Sequence, residues 1–254
     1  ALMYFTGSKE HNVALRKLAL SQGLTLNEYD LAPTEGSDRE NPSSDIKDEA
    51  GIYRELGLLY IEPELREDRG ELDTASEGDL PTLVEQDNLR GTFHCHTTES
   101  DGRSTLEEMA AAAQELGLDY LGISDHSKSS FQARGLDEER LLKQVESIRA
   151  FNETQDGFRV FAGSEVDILK DGSLDFADDI LAQLDFCVVS VHASFGMPEK
   201  DMTKRIIRAM ENPHVTMLGH PTGRLLLRRD AYALNHDKII DCAAATGTVI
   251  ELNC

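Results

Sequence analysis

The chain has 254 residues, 40% of them hydrophobic, enough for one large domain or two modest ones with a real core. Its formal net charge of −22, from 47 acidic against 25 basic residues, argues against counterion-driven nucleic-acid binding by the surface as a whole and leaves room only for a local basic groove. No apolar run approaches a membrane span, no signal segment opens the chain, and the four cysteines form no C-x-x-C pair, so zinc knuckles and redox motifs are unsupported and a reducing cytoplasm is expected.

In chain order, Ala1-Leu2-Met3-Tyr4-Phe5 reads as the middle of a strand, as does Val249 to Cys254, so the chain is expected to be a fragment of a longer protein. Glu10 to Gln22 predicts a helix, with Val13, Leu15, Leu18, Ala19 and Leu20 as its apolar stripe and Gly23 ending it. Leu24 to Leu31 alternates as a strand, and residues 32–48 form a polar loop. Residues 46–56 predict a short amphipathic helix, and residues 67–90, acidic and broken by Gly70, Gly78 and Pro81, read as a linker.

From residue 91 the pattern becomes strand-helix alternation. Strands are expected at 91–96, 119–124, 159–168, 185–191, 215–218 and 248–253, with helices at 105–116, 137–153, 175–182, 199–210 and 235–245. Such alternation implies an α/β fold with parallel strands and outer helices. Chemistry in an α/β barrel sits at strand C-terminal ends. That is where His94, His96, Asp101, Asp125, His126, Glu165, His192 and His220 fall. In Phe93-His94-Cys95-His96, strand alternation aims both histidines one way and Cys95 the other.

Each of these residues alone is better explained as structural: a core histidine, a loop pair, a solvated glutamate. Five histidines, two aspartates and a glutamate at equivalent places in one repeating pattern are not. Nitrogen and carboxylate donors without thiolates suit Zn, Mn or Fe, and there are too many for one tetrahedral ion. Two or three ions are expected, with Glu165 as the natural bridge, an arrangement that serves phosphoester hydrolysis. Asp125 is expected to orient His126 from outside the ligand set. Arg224, with Arg228 and Arg229, forms a basic patch after the His220 position, and Arg224 is a candidate phosphate anchor; a surface salt bridge explains it equally well. Lys128 and Arg134 are weaker candidates of the same kind.

The segments Phe93 to Gly102, Ile123-Ser124-Asp125-His126, Gly163 to Ile168, Ser190-Val191-His192 and Gly219-His220-Pro221 resemble, in order and spacing, the motifs of the polymerase and histidinol phosphatase (PHP) superfamily over residues 91–254. That resemblance implies a distorted seven-stranded βα barrel with a trinuclear metal site. It implies that His94 and His96 hold one ion, that Glu165 bridges to a second completed by His192 and His220, and that Asp101 and His126 hold a third. It also implies a late Asp-x-His motif on a seventh strand, expected beyond residue 254, so the barrel is expected to be truncated after about six strands.

Gly163 to Phe195 and Gly219 to Leu225 look closest to PHP domains attached to bacterial family X DNA polymerases. The run Tyr4 to Arg16, Leu26-Asn27-Glu28-Tyr29 and Tyr60 to Arg66 resemble the end of the palm and the thumb of the same polymerases, a small α+β domain at residues 1–66. By this resemblance Tyr4, Phe5 and Gly7 pack on the sugar of an incoming dNTP, Asn12 contacts the base, and Arg16 touches the template strand while Glu28 holds it in an inactive arrangement. The polymerase aspartates and their Mg²⁺ ions are expected before residue 1, so residues 1–254 alone are expected not to polymerise. The reading is a gap-filling repair polymerase with a 3′-5′ exonuclease on DNA; the alternatives are a histidinol-phosphatase-type phosphomonoesterase and a silent scaffold.

Overall fold

A computed structural model describes residues 2–42 and 46–252, which fall into two units, Ala1–Val84 and Glu85–Cys254. Ala1, Asn253 and Cys254, at the ends of the two expected terminal strands, lie outside the described residues, as do 43–45 of the polar loop.

The first unit opens with a helix where a strand was expected. Helix α1 (Leu2–Thr6) turns into α2 (Lys9–Ser21), capped by the Ser8 hydroxyl, which accepts from His11 N. Orphan carbonyls at a helix end need donors; the Asn12 side-chain amide donates to Tyr4 O, Gly7 O and Ser8 O, tying α1 to α2. This tertiary closure outweighs the strand-like composition of residues 2–5. Strands β1 (Leu24–Leu26) and β2 (Leu31–Pro33) pair antiparallel, so residues 24–31 are a hairpin rather than one strand. Asn27 makes the turn, its carboxamide oxygen accepting from Tyr29 N and Asp30 N. Helix α3 (Glu49–Glu55) follows.

The expected linker is not one. Within it, α4 (Glu71–Glu77) buries Ala75 in the core formed by Leu15, Leu24, Tyr53 and Ile61, and the unit runs to residue 84 rather than 66. Its buried Glu71 carboxylate lies 2.5 Å from His11 Nδ1 and accepts from Asp68 N and Arg69 N. Burial alone would raise its pKa; these hydrogen bonds win and hold it below the usual glutamate range. Its stabilising contribution is therefore complete above the ordinary value of about 4.3 and is lost as pH falls through the lower native one. Glu71→Gln is expected to destabilise this unit by about 1–3 kcal/mol at pH 7 and to remove that acid-sensitive part of its stability, checked by urea unfolding at pH 7 and pH 4.

The second unit alternates β3 (Gly91–Cys95), α5 (Leu106–Glu115), β4 (Tyr120–Ile123), α6 (Glu138–Asn152), β5 (Arg159–Asp167), α7 (Asp178–Leu181), β6 (Phe186–Ser190), α8 (Glu199–Met210), β7 (Met217–Leu218), α9 (His236–Thr246) and β8 (Val249–Ile250). The strands form one parallel sheet in the order β3-β4-β5-β6-β7-β8. In a flat sheet its two edges would lie roughly 24 Å apart, five spacings of about 4.8 Å. His94 on β3 and Glu251 after β8 are instead 2.7 Å apart, so the sheet curls into a half-barrel.

The two-residue period assigns the faces. Val160, Ala162, Leu121 and Ile123 pack in one outer cluster and Val166, Cys187, Val189 and Leu218 in another. The alternate residues Phe161, Gly163 and Glu165 on β5, and Phe186 and Val188 on β6, face inward. Phe93 packs against Phe161 at a tilt and against Phe186 edge to face, with centroids 5.7 and 4.9 Å apart. A Cβ on Gly122 would lie 2.2 Å from the Phe93 ring, and one on Gly163 2.4 Å from Phe186. These glycines let aromatic rings fill the base of the half-barrel, leaving its mouth for polar groups.

Candidate metal centre

Glu165, 1% exposed, is the focus of that mouth. His94 Nε2 lies 3.0 Å and His220 Nε2 2.8 Å from its Oε1, with His192 Nε2 at 3.2 Å. His126 Nδ1 lies 2.9 Å and His96 Nε2 3.4 Å from its Oε2. Asp101 stands behind this ring, 2.9 Å from His96 Nδ1 and 3.6 Å from His126 Nε2. Every residue expected to be a ligand is thus gathered at one place, from five strand ends.

Regular alternation is not what aims His94 and His96. Strand β3 ends at Cys95 and carries one extra residue against β4 between Thr92 and Cys95, with His94 in the left-handed region at φ 59°. Such a bulge re-aims a side chain. His94 stacks on His96 at 5.5 Å between centroids and also reaches His220 at 5.6 Å, while His96 lies 4.4 Å from His126. The ligand atoms that fit around a common ion are accordingly His94, Glu165 and His220 in one group and His96, His126 and Glu165 in another. Both groups include Glu165, and the expected pairs are also neighbours, with ring centroids 5.5 Å apart for His94 and His96 and 5.2 Å apart for His192 and His220.

Two outer carboxylates were not anticipated. Glu251 pairs with His94 Nδ1 and accepts from His220 N. Asp167 accepts at 3.0 Å from His192 Nδ1 and at 2.6 Å from Ser130 Oγ. A sequence signal existed for Asp167, which shares the inner face with Glu165 two residues earlier. None existed for Glu251, whose role depends on the curl of the sheet. Asp125, expected to orient His126, is fully buried and does something else: it accepts from Thr97 N, Thr97 Oγ1, Ser100 Oγ and Gln144 Nε2. It anchors the loop that carries His96 and Asp101.

The electrostatics follow from this packing. Burial would raise the pKa of Glu165, but the imidazoles of His126, His192, His220 and His94 close around its carboxylate hold it far below the carboxylate range. His94 and His192 are each pushed up to about 9: burial opposes the charge, and the flanking carboxylates Glu165 and Glu251, or Asp167 and Glu165, prevail. His96 is lowered, mainly by burial.

The donor set fits a divalent-metal centre. It is all nitrogen and carboxylate oxygen, while Cys95 Sγ turns back to Phe93 O. His126 Nδ1 is close to Glu165 yet not aligned for a hydrogen bond, and Ser124 Oγ and Ser190 Oγ beneath the ring are buried without partners. Unpaired buried polar atoms call for an explanation, and a His126 Nδ1 without a hydrogen-bond partner 2.9 Å from a carboxylate oxygen suits two donors to one ion. The ring opens into a cavity of about 890 Å³ walled also by residues 221–226, Arg229, Glu251 and Leu252.

Of the expected phosphate anchors, Arg224 lines this cavity. Lys128 and Arg134 do not: Lys128 pairs with Glu138, and the Arg134 guanidinium donates to Thr98 O and Ser100 O. The loop after β4 is closed by the Ser127–Leu136 bridge, and within it both side chains are taken up by these partners. In the first unit, Tyr4 and Phe5 are exposed, and Arg16 lies over the Tyr4 ring and pairs with Glu28 at 3.6 Å. Gly7 is needed for close packing, since a Cβ there would meet His11 at 3.1 Å and Arg66 at 3.3 Å. Asn12, expected at a base, spends its amide on the carbonyls of the turn before α2.

Residues 92–254 match the PHP domain model, and residues 1–67 match that of the DNA polymerase beta thumb. DNA polymerase/3′-5′ exonuclease PolX of Bacillus subtilis is 41% identical over 253 residues, 99% of this chain and 43% of that protein. A protein named probable phosphatase from Thermoanaerobacter sp. (strain X514) is 30% identical over 165 residues, 63% of this chain and 62% of that protein. The chain thus spans less than two thirds of either relative. Histidinol phosphate phosphatase from Lactococcus lactis, in a crystal structure complexed with zinc, L-histidinol and phosphate, overlaps with a TM-score of 0.44 at 14% identity, over 65% of this chain and 73% of that one. No helix among the described residues is long and apolar enough to cross a membrane.

Proposed function

The chain belongs to the PHP family, and from that premise we propose that its second unit hydrolyses phosphodiesters at a DNA 3′ end, within a family X repair polymerase whose thumb is the first unit. The observation that carries this reading is one cavity holding both the histidine ring around Glu165 and the basic side chains Arg224 and Arg229. Divalent ions held there, Mn²⁺ or Zn²⁺ in number two or three, supply Lewis-acid polarisation of a phosphoryl group and a lowered water pKa. The chain's own residues do the rest. Glu165 gathers the imidazoles, Asp167 and Glu251 fix the ring orientations of His192 and His94, and Arg224 offers a planar fork to the phosphate. In the first unit, Tyr4 and Phe5, exposed on α1, and Gly7 just after it fit a contact with a dNTP sugar, and the Arg16–Glu28 pair fits the inactive arrangement. Asn12 has to release its carbonyls before it can reach a base.

The likeness to probable phosphatases favours a second reading, a phosphomonoesterase. The full-length protein, with Mn²⁺, is offered a 5′-labelled oligonucleotide and p-nitrophenyl phosphate. Shortening from the 3′ end, lost in His94→Ala, supports the nuclease; turnover of the small ester alone supports the phosphatase and overturns it.

A further inference from the structure

The segment between β7 and α9 carries an oddity that the hydrolytic chemistry does not use. Pro221 to Asp230 is firmly built: the Tyr232 hydroxyl donates to Pro221 O, Arg229 Nε donates to Gly223 O, and the Arg229 guanidinium sits 3.9 Å from the centroid of Phe195. Beyond this base the chain makes a tight turn, with Leu225 and Arg229 exchanging backbone hydrogen bonds and Arg228 N donating to Leu225 O. At its tip Leu226 is 74% exposed and Leu227 is completely so, and Leu227 holds a left-handed φ of 61° that ordinarily favours glycine. Two adjacent exposed leucines, the second in a costly conformation, point to a role outside the fold.

What the tip meets is indicated by its neighbours. It rises from the wall of the metal cavity, to which Leu226 contributes. In a chain of net charge −22 it is flanked by Arg224, Arg228 and Arg229, a local basic patch that suits a polyanion. The cavity, about 890 Å³, is in the range of small-ligand sites, a size that suits the end of one strand. A paired 3′ end opened at its last base pair presents such an end. Leucine is among the apolar side chains that proteins insert between base steps to unstack them.

We propose that the Leu226–Leu227 tip is a wedge that opens the terminal base pair of duplex DNA, so that the 3′ strand enters the metal cavity while the flanking arginines hold its phosphates. The inference rests on the nuclease reading and names its substrate: a paired 3′ terminus opened by the enzyme itself.

The test compares full-length wild type with the Leu226→Ser/Leu227→Ser and Leu226→Met/Leu227→Met double variants, using Mn²⁺ and two duplexes that differ only in whether the 3′-terminal nucleotide is paired. The serine variant is expected to lower the paired-to-unpaired rate ratio about tenfold, and the methionine variant, still apolar, to keep it. With 2-aminopurine in the terminal pair, wild type raises the fluorescence on binding and the serine variant does not. An unchanged ratio, or an equal loss on both duplexes, overturns the wedge while leaving the nuclease standing. Conversion of a dimer to monomers by the serine variant also overturns it, because the tip then serves a second copy of the chain. If wild type shortens neither duplex yet turns over p-nitrophenyl phosphate, the nuclease reading itself fails and the wedge with it.

Discussion

Glu165→Gln is expected to strip the centre of metal and to reduce phosphodiester hydrolysis by more than the roughly 10–100-fold that outer-shell changes cost. Glutamine keeps the shape of the side chain but presents one oxygen and one NH₂ group where two anionic oxygens now stand. Each of those oxygens faces imidazole nitrogens, Oε1 those of His94, His192 and His220, Oε2 those of His126 and His96. Either orientation of the amide sets N–H groups against one of these sets, and neither restores the negative charge that both candidate ligand groups include. Elemental analysis of the full-length variant after dialysis and its rate on a labelled oligonucleotide check this together. Wild-type metal content with a normal rate would show that Glu165 is not the shared ligand.

Asp125→Asn is expected to cost about 2–4 kcal/mol and to weaken metal binding, although Asp125 touches none of the five histidines of the ring through any hydrogen bond described above. Its carboxylate accepts from Thr97 N, Thr97 Oγ1, Ser100 Oγ and Gln144 Nε2 in a fully buried setting. Hydrogen bonds to a charged acceptor are worth roughly 1.5–3 kcal/mol each and are not additive. Asparagine turns one acceptor into a donor that confronts Thr97 N–H or the Gln144 amide. The loop freed by this change carries His96 and Asp101, so the metal loss follows from misplaced ligands. Urea unfolding gives the first quantity and Mn²⁺ titration the second. A stability loss with unchanged metal affinity would separate the loop anchor from the site.

Much of the second unit was legible because strand periodicity is local. The six strands and five helices were expected within a few residues of where they lie, and the ligands were expected at strand ends. The first unit was less so. Residues 2–5 have strand composition, yet the Asn12 amide holds them as a helix. The acidic run 71–77 looks solvated, yet Ala75 and Glu71 are buried and Glu71 meets His11, sixty residues earlier. Lys128 and Arg134 look like anion contacts by position, and each is occupied by a partner that only the folded loop supplies.

The sequence by itself determined the chemistry of the centre, since the strand-helix rhythm puts five imidazoles and the carboxylates of Asp101 and Glu165 at or just beyond the ends of successive strands. The tertiary structure alone decided how they combine. A bulge at His94, the inner rings of Phe93, Phe161 and Phe186 seated over glycines, and the curl that brings β3 to Glu251 set which imidazole meets which oxygen. These arise from packing between residues up to 157 positions apart, and no local pattern encodes a contact of that range.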